Sequence, residues 1–352
     1  MTILITGGAG FIGTNITLEA ISQGHKVIAF DSITRKGTED NISIIEKSGA
    51  GILRADVRNK EDFKRIKGNI DGIIHLAGNP GIQVSLEWPM YDFEANTIGT
   101  LNVLEYSRSM GNIPVIFAST NKIYSEEINL LPVIEDDSRL RWDFNNFSKN
   151  YTREAVMEGI SQKGINENFP MDSAGLFPHT PYGASKASSD IYCQEYFHTF
   201  GVPTVVNRMS CIYGLYQKGI EDQGWIDWFV RAALHNKPLN IYGNGKQVRD
   251  ALFGTDLAKL YLLELENIEK VKGKVFNIGG GIEKTTSLLE MISWLENRLK
   301  SKMQIIYKDW RKADQKIYIS DITKVQDILK WKPTTSINEG LEIMWENIKK
   351  YN

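Results

Sequence analysis

The sequence predicts an α/β fold in which a parallel sheet carries helices on both faces. The chain opens with a short apolar strand, Thr2–Thr6, followed by the glycine-rich segment 7–13 and by helix-spaced apolar residues up to Ser22. A second apolar strand, at residues 26–30, completes a strand–helix–strand unit. Charged helical stretches separate three further apolar runs, at residues 51–53, 72–76 and 115–118. Such a succession is typical of a doubly wound sheet whose strands are buried on both faces.

The composition excludes several classes of function. A net charge of -2 over 352 residues offers no basic surface for nucleic acid, which is therefore not an expected partner. Cys193 and Cys211 are too few for a disulfide framework and fit a reducing cytoplasm. The chain begins directly with a strand, and no apolar run approaches the roughly 18 residues of a membrane span. Neither secretion nor a membrane is expected, and no metal site is predicted.

The segment 7–13, which reads GGAGFIG, predicts a dinucleotide site. Its glycines follow a strand and open a helix, so that backbone N–H groups at the helix N-terminus can approach a pyrophosphate. Asp31 ends the second strand, where a carboxylate accepts hydrogen bonds from the adenine ribose hydroxyls. The same carboxylate repels a 2′-phosphate, which favours NAD over NADP although Arg35 and Lys36 are close by.

Other residues of the expected NAD site follow the third and fourth strands. Asp56 and Val57 are positioned to contact adenine, although Asp56 could instead cap a helix. His75 is interpreted as a core histidine with satisfied hydrogen bonds rather than a site residue. The complete expected cofactor-binding set from these segments is Gly7, Gly10, Phe11, Ile12, Gly13, Asp31, Ser32, Arg35, Asp56, Val57, Leu76, Ala77, Gly78 and Met209.

We expect two domains. Residues 1–205 form an NAD-binding Rossmann domain that contains a long, partly irregular insertion at about 139–180, where no clear hydrophobic period is found. Residues 206–352 form mainly a smaller substrate-binding α/β domain that is partly interleaved with the first. Apolar runs at 204–207 and 275–278 bracket its Gly-, Trp- and Tyr-rich part.

The pattern Tyr-x-x-x-Lys occurs twice, at Tyr182–Lys186 and at Tyr242–Lys246. The second occurrence contains two glycines and reads as a turn, whereas the first opens a helical pattern in which positions i and i+4 are neighbours. The Lys186 ammonium is expected to lower the pKa of Tyr182 from about 10 toward working pH, which makes Tyr182 a candidate general base. A partly buried tyrosine beside a surface lysine is the alternative.

Thr120 is the third catalytic candidate. It follows an apolar strand at the carboxyl end, where ligands of doubly wound sheets bind, and its hydroxyl could orient a substrate hydroxyl. A threonine that only caps the following turn is the alternative.

These motifs together resemble the extended short-chain dehydrogenases/reductases, the NAD-dependent epimerase/dehydratase family. The resemblance rests on TGGAGFIG, Asp31, HLAG, STNKIY and YGASK in this order, and it spans nearly the whole chain. It implies that Thr120, Tyr182 and Lys186 form a catalytic triad. It also implies that Asn96 and Ser119, together with Tyr182 and Lys186, lie beside the nicotinamide half of NAD.

A finer resemblance is to the CDP-paratose 2-epimerases. It is carried by STNKIY around Thr120 and by the segments 219–228 (GIEDQGWIDW), 248–250 (VRD) and 309–315 (DWRKADQ). By this resemblance Arg249 and Arg311 grip the substrate pyrophosphate, which suits guanidinium geometry. The expected substrate-binding set is Gln83, Asn121, Gln223, Arg249 and Arg311.

The resemblance also discriminates between reactions. Dehydratases of the family carry Asp-Glu after the catalytic threonine, whereas this chain has Asn121 and Lys122, so reversible oxidation and epimerisation are favoured. The expected activity is NAD-dependent epimerisation of a nucleotide sugar, CDP-paratose at carbon 2. A UDP- or GDP-hexose 4-epimerase, a net dehydrogenase and a catalytically silent NAD-binding regulator stay open as alternatives.

A homodimer is the expected assembly. Relatives pair two helices from each subunit, for which the segments 96–110 and 182–200 are the candidates. The second has apolar side chains around much of its circumference, which a partner could cover. Burial under the insertion is the alternative.

Overall fold

A computed structural model describes residues 1–147, 153–172 and 179–351. Its strands are β1 (Thr2–Thr6), β2 (Lys26–Asp31), β3 (Gly51–Arg54), β4 (Gly72–His75), β5 (Val115–Thr120), β6 (Val133–Glu135), β7 (Leu140–Trp142), β8 (Ile160–Ser161), β9 (Gly164–Ile165), β10 (Thr204–Met209), β11 (Cys211–Tyr213), β12 (Leu239–Tyr242), β13 (Val248–Phe253), β14 (Lys274–Ile278), β15 (Thr285–Ser287), β16 (Ile305–Lys308) and β17 (Ile317–Tyr318). Its α-helices are α1 (Phe11–Ser22), α2 (Glu39–Lys47), α3 (Ile82–Glu87), α4 (Pro89–Phe93), α5 (Gly99–Ser109), α6 (Glu154–Glu158), α7 (Pro181–Phe200), α8 (Trp225–Leu234), α9 (Gly254–Glu266), α10 (Ile268–Val271), α11 (Leu288–Leu299), α12 (Thr323–Leu329) and α13 (Ile337–Tyr351). None of these helices combines the length and the apolar character needed to cross a membrane.

The predicted fold class is confirmed by a seven-stranded sheet in the order β14-β10-β5-β4-β1-β2-β3, in which all neighbours are parallel. Helices cover both faces, because successive strand residues point to opposite sides. Ile3 and Ile5 belong to a core formed with α1 and α9, whereas Leu4 belongs to a core formed with α5 and α7. The strand order reverses between β1 and β4, and ligands of such sheets bind in the crevice at that point.

The second layer of the molecule lies at the carboxyl edge of this sheet. Strand β13 pairs with β11, β15 and β17, and α8, α11 and α13 enclose a separate apolar core around it. Strand β10 runs through residue 205, and β14 returns to the large sheet from the C-terminal half. The expected boundary at residue 205 falls inside β10, and β14 also belongs to the large sheet. The two-domain division stays a proposal, with both strands in the first domain. Both cysteines are free.

The segment 139–180 is less irregular than expected in its described part. It contributes β7 to a hairpin with β6, and it forms the two-stranded β8–β9 pair. Trp142, Val156 and Phe169 are buried against Tyr318 in a fourth apolar cluster. Buried side chains at irregular intervals leave no hydrophobic period, which is why the sequence pattern missed this core. Residues 148–152 and 173–178 of the expected insertion lie outside the described residues.

A buried carboxyl group in the core between β10 and α9 predicts pH-dependent stability. Burial raises the pKa of Glu264 to about 8. Its Oε2 accepts a hydrogen bond of 2.7 Å from Asn207 Nδ2. Within the described part of the chain, Glu264 Oε1 and Asn207 Oδ1 have no hydrogen-bond partner. A proton on Glu264 adds a donor to a pair of side chains with two unpartnered acceptor oxygens, and burial favours the neutral acid.

Stability is therefore expected to fall as the pH rises. The unfolded chain releases this proton above about pH 4.5, while the folded chain keeps it up to about pH 8. The contribution of Glu264 is fully present below pH 4.5 and is lost through that window, on the order of 5 kcal/mol. Denaturant titrations at pH 5 and pH 8 should show a smaller pH effect in the Glu264→Gln variant. Glu46→Gln, at an exposed position of α2, should keep the wild-type slope.

Candidate functional site

The glycine-rich turn is built for close approach of a ligand to the backbone. Gly7 has a φ of +69°, and a Cβ there would lie 2.8 Å from the Ala77 nitrogen. A Cβ at Gly13 would lie 2.3 Å from the Gly7 oxygen. Helix α1 begins at Phe11, and Gly10 provides no side-chain cap. Its first N–H groups are thus directed to the crevice without a side-chain acceptor, as a pyrophosphate site requires.

Asp31 closes the adenosine end of this site. Its carboxylate accepts hydrogen bonds from Ala9 N at 3.0 Å and from Ile33 N at 2.8 Å. Burial raises the pKa of Asp31, and these backbone bonds act in the opposite direction. A carboxylate has about four lone-pair positions, so it retains capacity for two ribose hydroxyls.

One cleft of about 800 Å³ joins most of the predicted residues. It is lined by all fourteen residues expected from the glycine-rich turn and the strand ends, with Ser119, Thr120 and Tyr182. The five expected substrate-binding residues line it as well: Gln83, Asn121, Gln223, Arg249 and Arg311. Asn96 and Lys186 lie behind its wall. No group of three or more His, Cys, Asp and Glu side chains in the described ranges could hold a metal ion.

Asp56 forms hydrogen bonds with Arg58, a residue that the sequence motifs did not indicate. Its carboxylate accepts hydrogen bonds from Arg58 N at 2.9 Å and from Arg58 Nη2 at 2.6 Å. Burial acts to raise the pKa of Asp56, but the bonds from Arg58 bring it below its usual value. The alternative of a helix cap is wrong, because Asn59 caps the 3₁₀ turn that follows. Arg58 thereby reaches the cleft wall beside Val57.

His75 confirms the interpretation of a core histidine. It is fully buried, and its Nδ1 and Nε2 lie 2.6 Å and 3.0 Å from the hydroxyls of Thr6 and Thr100. Burial, with a contribution from Lys186, lowers the pKa of His75 to about 3. The ring is therefore neutral and takes no part in proton transfer near neutral pH.

Tyr182 and Lys186 lie on one helix, as predicted. Helix α7 begins at Pro181, and the Thr180 hydroxyl caps it by accepting a hydrogen bond from Gly183 N. Lys186 is buried, and its ammonium donates to the Ala118 carbonyl at 2.5 Å. Burial lowers the pKa of Lys186 to about 8. The alternative of a surface lysine is wrong.

The expected lowering of the Tyr182 pKa is wrong for the polypeptide by itself. Burial raises the pKa of Tyr182 to about 12, and a hydrogen bond with Thr120 only partly opposes this effect. The sequence pattern reports the i, i+4 spacing but contains no information on desolvation, which disfavours the phenolate. A nearby positive charge is therefore needed to bring Tyr182 to the ionised form at neutral pH.

Thr120 caps the following turn and also lines the cleft. It is the last residue of β5 and lines the cleft, and its Oγ1 accepts a hydrogen bond of 3.4 Å from Lys122 N, which caps the 3₁₀ turn Asn121–Ile123. Gly183 lies against this turn, where a Cβ would be 2.6 Å from the Lys122 oxygen. This close contact brings the start of α7, with Tyr182, beside the end of β5.

Ser119 lines the cleft, and Asn96 lies behind its wall. The side chains of both residues form hydrogen bonds within the protein. Asn96 accepts from Asn79 N and donates to Ser185, and Ser119 donates to Asp190 at 2.7 Å. These bonds fix the orientation of both side chains. Their place beside the nicotinamide half of NAD stays a prediction.

The two predicted arginines also line the cleft. Arg249 binds Asp314 at 2.6 Å, and Arg311 binds Asp222 at 2.7 Å. The Arg311 guanidinium also lies 3.7 Å from the ring centroid of Tyr242. Each arginine therefore forms an ion pair in the cleft wall.

The second Tyr-x-x-x-Lys segment is a turn, as interpreted. Gly243 and Gly245 have φ values of +88° and +78°, and Lys246 binds Glu135 away from Tyr242. Tyr242 nevertheless lines the cleft and donates to Glu221 at 2.7 Å. The sequence reading missed this, although an aromatic residue near two arginine motifs was a usable signal.

The comparisons with known proteins agree with this arrangement. A model of the NAD dependent epimerase/dehydratase family matches residues 3–151, and a model described as GDP-mannose 4,6 dehydratase matches residues 160–344. The chain is 37% identical to the CDP-paratose 2-epimerase of Salmonella typhi, with 98% of each chain covered. The chain belongs to the NAD-dependent epimerase/dehydratase family. Its cofactor is NAD, and it is an enzyme of the isomerase class.

Other members of the family are similar over their whole length. The putative UDP-glucose 4-epimerase of Methanocaldococcus jannaschii is 30% identical, with 99% of both chains covered. The UDP-glucose 4-epimerase of Thermotoga maritima, solved with UDP-glucose, has a TM-score of 0.79 at 26% identity and covers 100% of this chain and 99% of its own. The UDP-glucuronic acid 4-epimerase of Bacillus cereus, solved with UDP-glucuronic acid and NAD, has a TM-score of 0.78 at 25% identity over 100% of both chains.

Proposed function

We propose that the protein epimerises a CDP-linked deoxyhexose at carbon 2, converting CDP-paratose to CDP-tyvelose. The observation that carries this proposal is that Thr120 and Tyr182 line one cleft together with the glycine-rich turn and the two arginines. The turn would hold the NAD pyrophosphate and the arginines the substrate diphosphate. The reacting sugar carbon then lies beside the tyrosine. The 37% identity to a CDP-paratose 2-epimerase supports the choice of sugar.

The residues after Thr120 favour epimerisation over dehydration. Eliminating water from a sugar needs an additional acid and base beside the ring. In this chain Asn121 and Lys122 occupy these positions, and both are bound to Gln315. An amide and an ammonium can hold and orient polar groups. They do not supply the two carboxyl groups of the Asp-Glu pair that dehydratases of the family carry.

Each catalytic residue has a defined task in this reaction. When bound, NAD supplies the hydride acceptor and a positive charge beside Tyr182. Tyr182 then removes the proton of the sugar hydroxyl, which Thr120 orients, and returns it at the end of the cycle. Lys186 adds a second positive charge near Tyr182 and anchors α7 to β5 through the Ala118 carbonyl. Arg249 and Arg311 exchange their carboxylate partners for the substrate diphosphate.

The test uses CDP-paratose that carries deuterium at carbon 2, followed by proton NMR without added reductant. We expect CDP-tyvelose that retains the label and no net reduction of NAD. Loss of the label to solvent would reject hydride transfer in favour of proton exchange. Epimerisation of a UDP- or GDP-hexose but not of CDP-paratose would keep the chemistry and reject the substrate. Net NADH formation would indicate a dehydrogenase, and no turnover of any sugar would indicate a silent NAD-binding protein.

We also infer a homodimer formed through α5 and α7. Ile191 and Tyr192 on α7 are 50% and 42% exposed, so the described part of the insertion does not bury them. Phe200, at the end of the same helix, is 46% exposed. An apolar helix face of this kind is typical of an interface. Light scattering should give twice the monomer mass, and Ile191→Glu should give the monomer mass.

A further inference from the structure

A chain of side chains connects Thr120 to a segment almost two hundred residues away. The Thr120 hydroxyl points to Asn121 Oδ1 at 3.5 Å, and Asn121 Nδ2 points to Gln315 Oε1 at 3.3 Å. The same Gln315 oxygen accepts a bond of 3.0 Å from the ammonium of Lys122. Gln315 is buried with 3% exposure. The bonds near Thr120 are long, as is common before a substrate complex forms.

The ammonium of Lys122 determines the direction of every bond in this chain. An ammonium can only donate, so it holds the oxygen of the Gln315 amide toward itself. Asn121 must then present its NH₂ group to that oxygen, which leaves Asn121 Oδ1 for Thr120. Because Oδ1 can only accept, the Thr120 hydroxyl donates to it. Thr120 Oγ1 also accepts a hydrogen bond from Lys122 N, so two residues of the following turn fix the orientation of the hydroxyl.

We propose that Lys122 and Gln315 are positioning residues that hold the Asn121 amide in one orientation and thereby fix the Thr120 hydroxyl beside Tyr182, in the place where it orients the substrate hydroxyl. The proposal rests on the proposed function, in which Thr120 orients the hydroxyl that reacts. It assigns to the C-terminal segment 309–315 a task beyond diphosphate binding. Gln315 connects this segment to Thr120 through the Asn121 side chain.

The surroundings of Lys122 suit this task. Its ammonium also donates to the Ala313 carbonyl at 3.3 Å, so two neutral oxygens hold it in place. Burial and the nearby Arg249 lower the pKa of Lys122 to about 8, whereas Asp314 and Glu126 act to raise it. Lys122 is therefore mostly charged at pH 7, where the direction of the chain is fixed.

Two matched substitutions at position 315 distinguish the effect of the hydrogen-bond acceptor from the effect of side-chain volume. Gln315→Met removes the acceptor and keeps the length of the side chain, whereas Gln315→Glu keeps an acceptor for both Lys122 and Asn121. We expect Gln315→Met to lower kcat on CDP-paratose about tenfold with KM changed by less than about twofold. Gln315→Glu should retain most of the wild-type kcat. Lys122→Met and Lys122→Arg form a second pair. Lys122→Met removes the donor to Gln315 and should lower kcat, whereas Lys122→Arg keeps a charged donor and should retain most of the wild-type kcat.

The outcomes distinguish this inference from the proposed function. Equal losses of kcat in Gln315→Met and Gln315→Glu would overturn the inference, as would a change confined to KM. Melting temperatures of the variants identify any loss caused by unfolding, and the Lys122 pair then decides the result. If the wild type instead epimerises a UDP-hexose, the proposed substrate fails, and the same variants are compared on that sugar.

Discussion

Replacing Tyr182 by phenylalanine is expected to reduce the rate of epimerisation at least about a thousandfold. The substitution removes the phenol that takes and returns the sugar hydroxyl proton, and it keeps the ring that lines the cleft. Burial raises the pKa of Tyr182 to about 12. Phenylalanine has no ionisable group that could take the place of the phenol. Turnover is measured by NMR on the nucleotide sugar, and NAD binding is measured separately by calorimetry.

The control for this substitution is Tyr307→Phe. Tyr307 lies on β16, is 58% exposed and is outside the cleft, so its loss of a hydroxyl should leave turnover unchanged. NAD affinity of the Tyr182→Phe variant should stay within a few fold of wild type, because the glycine-rich turn and Asp31 are intact. Retention of more than a tenth of wild-type turnover would exclude Tyr182 as the general base.

Replacing Asp190 by asparagine is expected to destabilise the protein by about 3–5 kcal/mol. Asp190 lies on α7, two helical turns after Tyr182, and forms a buried ion pair with Arg208 through bonds of 3.0 Å and 3.1 Å. Its carboxylate also accepts from Ser119 at 2.7 Å. The amide leaves the Arg208 charge buried without its counter-ion. Denaturant titration at neutral pH gives the change in the free energy of unfolding.

An exposed ion pair provides the comparison. Glu61 binds Lys64 at 2.6 Å on the surface, with both side chains more than half exposed. Exposed pairs contribute little because water screens them, so Glu61→Gln should leave the denaturation midpoint nearly unchanged. A loss below about 1 kcal/mol in Asp190→Asn would mean that water or a rearranged side chain compensates Arg208, contrary to this account of the pair.

The predictions that were confirmed rest on patterns within a few residues. Glycine spacing after β1 indicated the turn at Gly7, and the i, i+4 spacing of Tyr182 and Lys186 required one helical face. Apolar runs separated by charged helices indicated the parallel sheet. Such patterns depend on backbone geometry and on immediate neighbours, which the order of residues contains in full.

The features that the sequence did not reveal concern burial and partners from distant segments. The shift in the Tyr182 pKa has the opposite sign because burial outweighs the hydrogen bond with Thr120, and the nearby Asp92 acts in the same direction as burial. Asn96 and Ser119 are engaged by Ser185 and Asp190, residues on a helix more than seventy positions away. The apolar core around Trp142 has no period because its members come from separate loops and from β17.

By itself the sequence determined the fold class, the dinucleotide turn, the tyrosine–lysine helix and the family of this protein. Only the tertiary structure decided which carboxylate each arginine binds, that Gln315 reaches Asn121, and which ionisable groups lose their water. Local geometry follows from neighbours along the chain, whereas desolvation and long-range hydrogen bonds arise when remote segments pack together.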